Sequence, residues 1–278
     1  MQHRHSYRAH EALVRFARAQ PELWRLLLGL VLVAAVSLAM TAALQQLVAG
    51  LFPGVWLQGL TDGSTPGAML VLLGSFGFLA LGVALAARLF HQRRFATVTG
   101  HLRPLVWQFL KVSLYLLGLT VLLMALPPYS MGPPMTPNLP FWTWLAILPL
   151  GIAGVLVQTG SEEILFRGYI QQALAARFRS PLVWLLGPSA LFALGHYLPA
   201  EAGENALMIA AWAGMFGLLM ADLTARAGTL GPAIALHLLN NLAAIAIVSP
   251  QGLMSGLALF LLPFDPADEA AVRALLQA

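Results

Sequence analysis

The chain has no cysteine, which excludes disulfides, thiolate nucleophiles and thiolate metal ligands. Charge is nearly as scarce: Asp, Glu, Lys and Arg make up 9% of the 278 residues, against about 25% in a soluble domain. A water-facing surface cannot be covered at that density, and little room is left for a separate soluble domain. Lysine occurs once, at Lys111, beside 14 arginines. That bias fits a GC-rich bacterial source. The net charge of +4 is small and dispersed, so no nucleic-acid partner is expected. Residues 1–22 are polar and basic, too long for the n-region of a signal peptide, and a cleavable signal is not expected.

What the chain has in abundance is apolar residues, 59% of the total, with a mean hydropathy of +0.78. Long apolar runs recur at about the 20 residues that a helix needs to cross a bilayer. They predict an all-α, polytopic transmembrane helical bundle of about eight spans, near 24–48, 67–87, 105–126, 141–176, 182–198, 206–224, 229–248 and a shorter one at 252–264. Four regions follow: a basic amphipathic N-terminal segment (1–22), spans 1–3 (23–140), a core of spans 4–7 (141–248), and a last span with a tail (249–278). The N-terminal segment reads as lying on an anionic membrane surface, and its His3, His5 and His10 as solvated. No internal or inverted repeat of the transporter kind is apparent.

The arginines are one-sided. Apart from Arg167, which lies inside a span, every basic residue falls in the N-terminal tail, the 88–111 region, the 177–179 loop, or at Arg226 and Arg273. The loops 52–66 and 127–140 have none. With eight spans the basic regions share one side, so both termini are expected in the cytoplasm of a multi-pass protein of a bacterial inner membrane.

Against this background Ser161–Gly168, SEEILFRG, stands out. Ionisable groups at membrane depth are costly, and tend to be paired, hydrated and functional. Glu163 and Arg167 are four apart and share a helix face, where they can form a structural ion pair. Glu162 is turned roughly 100° away and needs another partner. The other polar groups at depth are His196, four residues after Phe192, and His237 with Asn241, again four apart. Asp222 is placed to pair with Arg226 at the interface. At a helical rise of about 1.5 Å per residue, Glu162, His196 and His237 lie roughly 22, 25 and 14 Å from the basic side, close enough in depth to share a cavity.

A carboxylate beside a histidine can hold a water and take its proton. An amide and an imidazole can donate to an oxyanion. Two histidines and a carboxylate can also hold a divalent metal such as zinc with one position open. Both arrangements suit water attack on an amide, and the spacing is not that of an HExxH zincin. The same residues taken singly also fit bland roles, since polar side chains bridge membrane helices. A non-catalytic membrane scaffold and a proton-coupled carrier are therefore the rival readings.

Three motifs now line up in order: EExxxR at Glu162, Glu163 and Arg167, FxxxH at Phe192 and His196, and HxxxN at His237 and Asn241. Over about 150–245 the sequence resembles the intramembrane protease family of CAAX prenyl-protein endopeptidases and bacteriocin-processing or self-immunity (CPBP, Abi-type) proteins. The resemblance implies an endopeptidase acting on a membrane-associated peptide or protein in the lipid bilayer. It implies that Glu162 activates water with His196, that His237 and Asn241 support the oxyanion, and that Glu163 and Arg167, with Phe192, hold the site together. It is compatible with a metal on Glu162, His196 and His237 and with a metal-free glutamate, and with an immunity factor that keeps the fold without the chemistry.

Overall fold

A computed structural model describes residues 7–52, 59–127, 135–264, 267–268 and 270. Seven apolar helices account for most of it: α1 (Leu23–Leu51), α2 (Pro66–His91), α3 (Leu102–Met124), α4 (Phe141–Arg177), α5 (Pro181–Gly195), α6 (Ala206–Ala227) and α7 (Gly231–Ile247). Five helices are long and apolar enough to cross a membrane; α5 and α7, of 15 and 17 residues, are shorter. The chain is a polytopic helical membrane bundle, and its outer faces display Leu, Val and Trp side chains that only lipid would solvate.

Helix ends fall where local chemistry places them. Thr65 caps α2 by accepting from the Ala68 amide, and Pro66 takes the first turn, where its missing N–H costs nothing. Gly228 closes α6 in the left-handed conformation at φ 68°, which glycine adopts without strain. Close packing relies on two other glycines. A Cβ on Gly82 would meet the Val33 Cα at 2.9 Å, so α1 and α2 touch backbone to backbone there. A Cβ on Gly231 would meet the Leu105 carbonyl oxygen at 2.2 Å, which seats α7 against α3. α4 is one continuous rod with a π-helical stretch, Ile164–Ile170, inserted directly after the two glutamates. π stretches inside α-helices recur at functional sites.

The predicted eighth span is corrected. Residues 252–264 contain no helix: Gly252 and Met254 have positive φ, and Phe260–Leu261 is a short strand, β3. β3 pairs antiparallel with β1 (Thr136–Pro137) and parallel with β2 (Val248–Ser249). The segment is pinned elsewhere by backbone bonds from Met254 to Asp62 O (2.6 Å) and from Gly256 to Gly63 O (2.9 Å), and by Asn138 Nδ2 donating to the carbonyls of Ser255 and Ala258. Thirteen residues would reach only about 20 Å as a helix, and interstrand and side-chain bonds satisfy their backbone instead.

This alters the expected topology. The last described stretch lies with the loops 59–65 and 135–140, at the arginine-free end of the bundle. Residues 7–19 lie at the opposite, basic end, where the Tyr7 hydroxyl donates to Asp222 Oδ1 (2.7 Å) and Asp222 pairs with Arg226 (2.6 Å). Residues 7–19 and 250–262 therefore lie at opposite ends of the bundle. Most of the tail beyond residue 264 falls outside the described residues.

The N-terminal segment also differs from expectation. It forms short turns, Arg8–His10, Glu11–Val14 and Ala17–Ala19, whose apolar side is covered by protein: Leu13, Val14 and Ala17 are buried. His10 is 4% exposed and packs on Trp184 with ring centroids 4.9 Å apart, so it is not a solvated histidine. His3 and His5 lie outside the described residues.

Candidate functional site

Where α4, α5, α6 and α7 meet, the structure gathers the polar residues of the three motifs. Glu163 and Arg167 are both fully buried and pair through Oε1 and Nη1 at 3.1 Å. The 0% exposure of both partners matters, because at the surface such a pair would contribute little. Arg167 Nη2 also donates to the Gly217 carbonyl at 2.8 Å, and the guanidinium lies over the Phe192 ring at 5.1 Å. A Cβ at position 217 would come within 3.3 Å of Nη2, so only a glycine leaves the guanidinium its full room there.

His237 sits between the two glutamates. Its Nδ1 contacts Glu163 Oε1 at 2.8 Å, and its Nε2 lies 3.5 Å from Glu162 Oε2. A carboxylate accepts only, so Nδ1 carries a hydrogen. The ring is held by edge-to-face contacts from Phe216 (5.3 Å) and Phe192 (5.9 Å).

Glu162 thus finds the partner that the sequence left open, and it is His237. The Gln158 side chain, one helical turn earlier, lies beside the Glu162 carboxylate. Glu162 Oε2 is buried and has no hydrogen-bond partner among the described residues. Asn241 lies on the same wall: its Nδ2 donates to Gln158 Oε1 at 3.0 Å, and its Oδ1 accepts from Asn240 at 3.0 Å, which fixes the amide's orientation. An amide nitrogen has two hydrogens, so one donor remains on Asn241.

His196 follows the end of α5 and is only half buried. Its Nδ1 donates to the Phe192 carbonyl at 2.8 Å, and its ring lies on the Phe192 ring at 4.4 Å. That bond leaves Nε2 with its lone pair. His196 is near enough to interact electrostatically with Glu162, but among the described residues it makes no hydrogen bond to the Glu–His–Glu cluster.

Phe192 serves both histidines, which explains its place in the motif. Gln158, Phe216 and the Gly217 carbonyl were not anticipated. Gln158 was legible as a lone amide in an apolar run four residues before Glu162. The Gly217 carbonyl, being backbone, carries no signal in sequence.

The fit of a divalent metal can be tested on these residues. Glu162 and His237 approach each other as two ligands would, but among the described residues no three His, Asp or Glu side chains stand together at ligand spacing.

The comparisons with known proteins agree with the motifs. Residues 140–243 match the family described as Type II CAAX prenyl endopeptidase Rce1-like. That stretch holds every motif residue named above. A protein of Bacillus subtilis described as "Uncharacterized protein YyaK" is 28% identical over 176 residues, covering 59% of this chain. The alignment spans 56% of the length of that relative. No solved structure matches.

Proposed function

We propose that this chain, Rce1-like over residues 140–243, is an intramembrane endopeptidase that hydrolyses a peptide bond of a membrane-associated protein or peptide with water activated by Glu162. The observation that carries the reading is the carboxylate of Glu162. It is buried inside a membrane-spanning helix with its Oε2 3.5 Å from His237 Nε2, and ionisable groups at that depth tend to be functional.

In the proposed reaction Glu162 takes a proton from water as the oxygen attacks the scissile carbonyl carbon. The tetrahedral oxyanion is met by the free N–H of Asn241, with His237 beside it. Collapse expels the amine, which takes the proton from Glu162, so the enzyme returns to its starting state. His196, with its lone pair on Nε2, orients the water. Glu163 and Arg167 hold His237 in place through its Nδ1. The basic end of the bundle faces the cytoplasm in this reading, as positive-inside placement requires.

The test is peptide cleavage by the purified, membrane-reconstituted protein. Glu162→Gln preserves size and hydrogen bonding but cannot take a proton, and should lower the rate by about 10²–10⁴. Wild-type processing of a verified substrate by Glu162→Gln would overturn the hydrolase reading in favour of a scaffold or immunity factor.

A further inference from the structure

A second cavity lies at the basic end of the bundle, apart from the Glu162–His237 cluster. It has a volume of about 690 Å³ and is walled by the N-terminal turns, the end of α4 and the start of α5. Four arginines line it: Arg8, Arg18, Arg177 and Arg179. Arg18 is committed to Glu11, with Nη2 to Oε2 at 2.7 Å and a second contact through Nη1. Among the described residues Arg8, Arg177 and Arg179 make no ion pair. His10 also lines the cavity, and its buried Nε2 has no hydrogen-bond partner among the described residues.

Positive-inside topology accounts for arginines at this end. It does not account for a walled cavity, nor for a buried imidazole nitrogen left unsatisfied in it, which costs free energy unless something bonds there. We infer that this cavity binds a phosphate-bearing anion, held by Arg8, Arg177 and Arg179 with His10 donating from the wall. Guanidinium groups present paired N–H donors that match phosphate oxygens in geometry and charge. Burial, with the charge of Arg18 adding, pushes His10 down to about 4. It is therefore neutral near pH 7 and supplies an N–H without further charge.

The size is that of a small-molecule site rather than of a single ion. It sits where α4 leaves the apolar layer, level with the headgroups of the leaflet, so an anionic phospholipid is one source of the phosphate and a soluble phosphate is the other. Arg8 and His10 come from the N-terminal turns and Arg177 and Arg179 from the bundle. The ligand would therefore clamp the two together.

Native mass spectrometry of the full-length protein, released from vesicles of mixed phosphatidylglycerol and phosphatidylcholine, tests the site. Wild type should retain phosphatidylglycerol in preference to phosphatidylcholine, and Arg177→Gln/Arg179→Gln should reduce that retention by at least about tenfold while leaving phosphatidylcholine unchanged. His10→Phe, which keeps the contact with Trp184, should weaken retention with circular dichroism unaltered. In a parallel arm, inorganic phosphate at millimolar concentration is titrated against thermal unfolding in detergent. Stabilisation that disappears in the double arginine variant, without lipid preference, would support the phosphate site with a soluble source. Equal retention of both lipids together with no stabilisation by phosphate, or a response unaltered in the double variant, would overturn the proposal.

Discussion

Arg167 and Glu163 are the residues whose loss should tell most about stability. Removing Arg167 leaves Glu163 buried with a single histidine partner and Phe192 without its cation. Breaking a buried pair from one side costs about 3–5 kcal/mol. Arg167→Ala should therefore unfold at a markedly lower temperature in detergent; a variant of wild-type stability but no activity would move Arg167 into the chemistry. Asn241→Ala removes one donor to the oxyanion, and should lower the rate by about 10²–10³ while folding is kept. His10 predicts a pH dependence. Its folded pKa, about 4, lies below the ordinary histidine value, so the unfolded segment binds the extra proton first. Its contribution to docking the N-terminal turns is complete above about pH 6.5 and is lost as pH falls towards 4. Amide hydrogen exchange in residues 8–19 should rise across that window, after correction for intrinsic rates. Unchanged protection would mean that His10 does not hold the segment.

Between helices, the decisive groups are the smallest. Gly231 lets α7 approach α3 closely enough that an added methyl would overlap the Leu105 carbonyl. α7 carries His237 and Asn241, so a displaced α7 would also misplace the site. Gly231→Ala should lower both folded yield and activity, whereas Gly118→Ala, in α3 with nothing within 4 Å of the new Cβ, should change neither. Equal behaviour of the two variants in size-exclusion profile and cleavage rate would show that α7 is not seated by that contact. The π stretch of α4 acts at the same scale. It begins at Ile164, so Glu162 and Glu163 end the regular part of the helix, while Arg167 is carried by the wider turn.

Across the whole molecule, the arginine-free end gathers two separated loops and the segment 248–262 into one hydrogen-bonded cap. That cap places Ser64 and Gln251 on one face and Arg94 on the other. The native chain has no cysteine, so single introduced cysteines report without background. Ser64→Cys and Gln251→Cys should react with an impermeant maleimide from the same side of sealed vesicles, and Arg94→Cys only from the opposite side. Labelling of Gln251→Cys from the side of Arg94→Cys would restore an eighth crossing.

The sequence by itself determined the membrane-spanning helical class, seven of the apolar helices, the Glu163–Arg167 and Asp222–Arg226 pairs, and the set of polar residues at depth. Each of these depends on local composition or on the four-residue spacing of one helix, which a chain carries wherever it folds. Tertiary structure alone decided that His237 lies between both glutamates, that Gln158 accepts from Asn241, and that a backbone carbonyl at Gly217 takes the second arm of Arg167. Those contacts join helices 50 or more residues apart, and no spacing within one element encodes them. The same reason separates residues 250–262 from the N-terminal turns. Residues 252–264 are apolar enough to resemble a short span, yet their backbone bonds go to residues 62, 63 and 138, and partners that distant exist only once the bundle has formed.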